Sequence, residues 1–176
     1  DNGGFELCSG RGGAAPDKWS GVGGAKFSYT ASAAGHERGI GYTEGLQGLC
    51  ITAGEADCGV EQVITGLKPS TTYTVYWDWN VSRGMGKVTT TGAATNVDRR
   101  STTPHYVRGS GCFTTDTGGG VRLRLLTGAP DSMVVFDNIS VEEGLLLSEQ
   151  APGATQDLID NGGFELCSGR GGAAPD

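Results

Sequence analysis

The first seventeen residues of the chain, DNGGFELCSGRGGAAPD from Asp1 to Asp17, return unchanged as its last seventeen, Asp160 to Asp176. A repeat without a single substitution leaves recent tandem duplication or an engineered permutation, and tandem repetition of a unit whose period is 159 residues is the favoured reading. That period is the size of an ordinary domain, and folding it buries roughly two-thirds of the surface its unfolded chain exposes. The unit is therefore expected to fold alone and is too long for a solenoid repeat. Residues 1–147 read as one module and 148–159 as a linker with a lead-in strand. Residues 160–176 read as the opening strand of the next module, so that Asp160, Phe164, Glu165 and Cys167 are expected to serve a neighbouring copy.

Charge and cysteine content narrow the class. The chain holds 13 Lys and Arg against 20 Asp and Glu, a net charge of −7. With no basic patch, this argues against nucleic acid or an anionic membrane as partner. No apolar run reaches the eighteen residues needed to span a bilayer, so no membrane insertion is expected. Four cysteines, Cys8, Cys50, Cys58 and Cys112, belong to one unit, and Cys167 copies Cys8. Their spacing lacks the paired CxxC pattern of metal sites, and an even number in a Gly-, Ser- and Thr-rich chain suits a disulfide framework in an extracellular or cell-surface protein. Of the three connectivities, the expected one is Cys50–Cys58, closing the loop ITAGEAD, which leaves Cys8–Cys112.

The hydrophobic pattern has a period of two. In Thr71–Ser82, Tyr73, Val75, Trp77, Trp79 and Val81 share one parity while Thr74, Tyr76, Asp78 and Asn80 share the other, as in a strand with one face in a core. The two tryptophans are thus expected in the core. Further strands are expected at Lys26–Ser32, Leu49–Thr52, Lys87–Thr91, His105–Thr115, Val121–Thr127 and Met133–Glu142. A strand over VEQVIT is joined to the long one by a turn at Gly66-Leu67-Lys68-Pro69. Val134 and Phe136 fit one parity and Ile139 and Val141 the other, which predicts a bulge near Asp137. Glycine is too frequent in every window for a helix. The expected fold is an all-β jelly-roll sandwich of eight or nine antiparallel strands.

Several motifs stand in order along the unit: NGGFE at 2–6, Trp19, GLCITAG at 48–54, VEQVITGLKPSTTYTVYWDWNV at 60–81, HYVRGSGCFTT at 105–115, VRLRLLTG at 121–128 and VVFDNISVEE at 134–143. Together they resemble the carbohydrate-binding modules of the family 4/9/16/22 type, jelly rolls of the galactose-binding-like fold. The resemblance implies a structural Ca2+ held by Glu6 and Asp137, a hard cation on hard oxygen ligands. It also implies glycans as partners, bound by exposed aromatic and polar side chains. The candidates here are Tyr29, Tyr42, Tyr76, Asp78, Arg122 and Arg124, the last four placed off the core face by strand alternation.

Little points to catalysis. His36 and His105 have no nucleophile arrangement around them, and the GxGG stretches at 10–13 and 21–24 lack the strand–helix context of a phosphate loop. Sequons at Asn80 and Asn138 are candidate glycosylation sites, Asn80 lying on the outward parity of its strand. Two functions follow. The favoured one is a non-enzymatic structural repeat of a secreted or cell-surface fibre or filament, its partners being adjacent copies joined by a linker or by strand exchange. The alternative is a carbohydrate-binding module acting by multivalency in an adhesin or attached to a polysaccharide-degrading enzyme.

Overall fold

A computed structural model describes residues 13–30 and 48–145. Ten strands run through them: β1 (Ser20–Val22), β2 (Lys26–Thr30), β3 (Gly48–Ala53), β4 (Gly59–Ile64), β5 (Thr72–Arg83), β6 (Gly86–Thr91), β7 (Asp98–Ser101), β8 (Val107–Thr114), β9 (Val121–Thr127) and β10 (Ser132–Glu143). They form two five-stranded sheets, ordered β1-β4-β9-β6-β7 and β2-β3-β10-β5-β8, in which every pairing of neighbours is antiparallel. The all-β sandwich read from the alternation is the fold. Two short strands, β1 and β7, go beyond that reading. SGV has no alternation to detect, and DRRS is charged at three of its four positions, as suits an edge strand that must not pair further.

One face of each sheet is apolar, and the two apolar faces meet. Val60 and Ile64 of β4, Val88 of β6, and Leu123 and Leu125 of β9 face Leu49 and Ile51 of β3, the odd-numbered residues Tyr73 to Val81 of β5, and Val134, Phe136, Ile139 and Val141 of β10 in one cluster. Trp77 is completely buried and meets Trp79 edge to face, with ring centroids 5.6 Å apart, while Tyr73 stacks on Phe113 at 5.7 Å. Such pairs add to the burial of their large apolar areas. The tryptophans are core, as their parity requires. Trp19 closes one end of the same cluster.

The expected bulge is present. Between Asp137, opposite Asp78, and Ser140, opposite Tyr76, β10 advances three residues while β5 advances two. Asn138 takes a φ of 50° there, and its backbone N–H donates to Asp137 Oδ1 at 2.8 Å. The extra residue resets the parity of β10, so Ile139 and Val141 return to the core that Phe136 left.

The structure holds no Cys50–Cys58 bridge: Cys50 lies within one sheet, and Cys58 leads into a strand of the other. Cys50 lies within β3, on the parity opposite to Leu49 and Ile51, and pairs with Ser28 and Val135. Cys58 precedes β4, its backbone N–H bonded to Thr127 Oγ1 at 3.3 Å. Within ITAGEAD, Ile51–Ala53 complete β3 and residues 54–57 cross to the other sheet, so the stretch is not a loop pinched shut by a disulfide. Both thiols are free and buried; that of Cys112 is free and half-buried, 3.4 Å from Thr74 Oγ1, and its expected partner Cys8 lies outside the described residues. Burial pushes the Cys50 thiol above its ordinary range, against hydrogen bonds from Ser28 and Thr52 that lower it. A thiol raised in the fold favours the native state below its unfolded pKa, about 8.5, and withdraws that support as pH climbs through the folded value. Iodoacetamide added to denatured, unreduced protein is expected to label Cys50 and Cys58 fully, whereas native Cys50 stays unlabelled. A mass 2 Da low on a peptide pair linking the two would contradict the free-thiol assignment.

Candidate functional site

The outer faces of the two sheets differ. On the second sheet, the outward side chains of β5 and β10 are largely buried: Thr74, Asp78, Asn80, Val135 and Asp137 are all below a tenth exposed. Tyr76 is half-buried, with the Arg108 guanidinium 5.3 Å from its ring centroid. Arg108 Nη1 also stands 3.6 Å from Asp78 Oδ1, and Asn138 Nδ2 donates to Asp78 Oδ2 at 3.2 Å. Burial first, and then the Glu142 carboxylate, push the Tyr76 phenol up. Tyr76 and Asp78 are therefore together, as candidates from one strand must be, but a cation covers one face of the ring. Arg108 supplies it and was not among the residues singled out from sequence.

The outer face of the first sheet is open. Two adjoining hollows of about 500 and 520 Å3 lie on it, and they share Thr91 and Arg124, so they run together as one trough across β4, β9, β6 and β7. Alternation explains the lining. With Val60, Val88, Leu123 and Leu125 turned inward, Glu61, Val63, Lys87, Thr89, Thr91, Arg122 and Arg124 turn outward. Register then brings three of them together. Glu61 stands opposite Arg124 and Val63 opposite Arg122. Glu61 Oε1 accepts from Arg122 Nη1 at 2.9 Å and Glu61 Oε2 from Arg124 Nε at 2.9 Å, one carboxylate thus fixing two guanidinium groups. Glu61 is the most covered of the three, its side chain 18% exposed against 44% and 33% for the arginines. At the other end Lys87 Nζ meets Asp57 at 2.7 Å. Val63, 57% exposed, gives the trough an apolar spot.

Of the sugar-binding candidates, Arg122 and Arg124 therefore lie in this trough, and Tyr76 and Asp78 lie on the opposite side of the sandwich. Tyr29 belongs to neither face. It packs against the core with Phe27, and its hydroxyl donates to the Ala14 carbonyl at 2.8 Å. The alternation of KFSYT, in which Phe27 and Tyr29 share a parity, was the available signal. Tyr42 lies outside the described residues. Glu61, Lys87, Thr89 and Thr91 were missed because nothing in a single sequence announces which outward residues a register will align.

The sequons sit poorly for a glycan. Asn80 points outward as expected but is 1% exposed, so its amide is out of reach in the folded chain. The amide of Asn138 is engaged by Asp78. Of the expected calcium pair, Asp137 is completely buried in the bulge and Glu6 lies outside the described residues. Among the described residues no group of three or more His, Cys, Asp or Glu side chains is gathered to hold a metal. Asp160, Phe164, Glu165 and Cys167 also lie outside them, as do the linker and the module boundary expected after residue 147. No helix among the described residues is long and apolar enough to cross a membrane.

No protein-family profile matches the chain, and no curated protein matches it in sequence. Solved structures do match in fold. The xylan-binding CBM22-1 domain of Xyn10C from Paenibacillus barcinonensis superposes with a TM-score of 0.57 at 17% identity, over 82% of this chain and 93% of that one. TmCBM61, solved in complex with β-1,4-galactotriose, gives 0.56 at 13% identity over 82% and 97%. A family 16 carbohydrate-binding module gives 0.52 at 22% identity over 71% and 90%. The fold is thus the jelly roll of carbohydrate-binding modules, as the ordered motifs implied.

Proposed function

We propose that the chain is a non-catalytic carbohydrate-binding module of a secreted or cell-surface protein, and that the trough on the first sheet is where a glycan chain lies. The observation that carries this is the pair Arg122 and Arg124 in the lining of an open groove that spans four strands, both guanidinium groups held by the neighbouring Glu61. Sugar hydroxyls need donors and acceptors held at fixed positions. Glu61 holds the two guanidinium groups in place, which leaves their remaining N–H donors to a ligand and lowers the entropy lost on binding. Val63 and the methyl groups of Thr89 and Thr91 offer contact to the apolar faces of the sugar rings. The fold shared with xylan- and galactotriose-binding domains supports the same reading.

No aromatic ring among the described residues stands in the trough, so binding is expected to rest on hydrogen bonds and to be weak for one module. Tandem repetition would compensate, because a second module on the same polypeptide would meet the same polysaccharide at high effective concentration. Calorimetric titration against a panel of xylo-, galacto- and gluco-oligosaccharides at millimolar sugar tests this. For the oligosaccharide that binds, Glu61→Ala and Arg124→Ala are each expected to weaken affinity about tenfold or more, as losing a charged hydrogen bond worth about 1.5–3 kcal/mol requires. Arg108→Ala, on the other sheet, leaves affinity unchanged. A panel without any heat of binding would sink the proposal.

The seventeen-residue duplication favours a second reading, the structural unit of a fibre or filament. In that case tandem copies assemble and no glycan binds.

A further inference from the structure

The described end of the first copy, Gly13 to Asp17, is not a tail but a seated element. Gly13 has a φ of 99°, which L side chains rarely adopt. The Ala14 carbonyl takes the Tyr29 hydroxyl at 2.8 Å, Ala15 packs on the core, and Pro16 is buried with its carbonyl accepting the Trp19 N–H at 3.0 Å. The seat therefore asks for a glycine, a backbone carbonyl, a small residue and a proline in that order. The chain offers Gly-Ala-Ala-Pro twice only, here and at Gly172-Ala173-Ala174-Pro175.

We propose that this seat is a docking site for the C-terminal copy, residues 160–176, of a second copy of the chain. Tyr29 and Trp19 stay with the recipient, and the donor supplies the glycine, the alanine carbonyl, the core contact and the proline. Every local contact is the same with either occupant, so only connectivity decides between them. The chain's own copy is joined directly to Lys18 and competes at an effective concentration on the order of millimolar. At micromolar protein it wins, and the chain is a monomer. Once it is damaged, the donor from another chain takes the seat and units join head to tail, a heterologous contact that can extend without closing.

The test damages one occupant at a time in the full chain. Ala15→Arg puts a charged side chain at the core contact of the N-terminal copy and leaves residues 160–176 intact. Light scattering from about 10 μM to 1 mM is expected to show Ala15→Arg at twice the 18.1 kDa monomer mass or more, rising with concentration. Ala174→Arg alone, and the double variant Ala15→Arg/Ala174→Arg, are expected to stay monomeric. If Ala15→Arg is monomeric throughout, or the double variant assembles equally, the proposal is overturned. Should Ala15→Arg prove too unstable for scattering, a synthetic peptide of residues 160–176 added to it is expected to raise its Tm in proportion to the logarithm of peptide concentration, as a ligand of the native state does. A Tm indifferent to the peptide overturns the proposal as well.

Discussion

Trp77→Ala is expected to destabilise the fold by about 3–5 kcal/mol, the range for removing a large aromatic side chain from a packed core. The indole is completely buried, lies edge to face with Trp79, and fills the space that Gly109 of β8 leaves open. A Cβ at Gly109 would run into the ring, so strand and indole are fitted to each other and neither can move into the cavity that alanine leaves. Urea unfolding followed by fluorescence measures the loss. Were Trp77 instead a surface platform for sugar, the substitution would lower affinity and leave the midpoint where it was.

Gly59→Ala is expected to cost about 3 kcal/mol, at the upper end of what overpacking usually takes. Gly59 opens β4 between Val22 of β1 and Leu126 of β9, and a Cβ there would collide with the Leu125 carbonyl oxygen and the Leu126 backbone. Backbone cannot swing aside as a flexible side chain does, so the β4–β9 register would have to open at the end nearest Cys58. Because the same register aligns Glu61 with Arg124, affinity for a glycan should fall together with stability. Thermal unfolding that left Tm within a degree or two of wild type would show that the pairing is looser than the register implies.

Residues on one strand were legible in the sequence; residues brought together by pairing were not. Alternation in Thr71–Ser82 placed five core residues correctly, and the parity change between Phe136 and Ile139 located a bulge to within a residue. These signals are local, set by the two-residue period of a single strand. Arg122 and Arg124 could be read as outward for the same reason. Glu61 could not be tied to them, since β4 and β9 are some sixty residues apart and their register is fixed by tertiary packing. The Cys50–Cys58 pairing differs from the structure for a related cause. A seven-residue spacing is compatible with a small disulfide loop and equally with a crossing between sheets, and only the topology separates the two. Tyr29 was legible and misread: its parity with Phe27 pointed inward, and the expectation of exposed aromatics overrode it.

The central claim is that a glycan lies across the outer face of the first sheet. Backbone amide shifts of the 15N-labelled chain, titrated with the oligosaccharide that binds best, test it most directly. The largest changes are predicted along β4, β9 and β6, at Glu61, Val63, Thr89, Thr91, Arg122 and Arg124. Changes confined to Tyr76, Arg108 and their neighbours on β5 and β8, or none at saturating sugar, would contradict it.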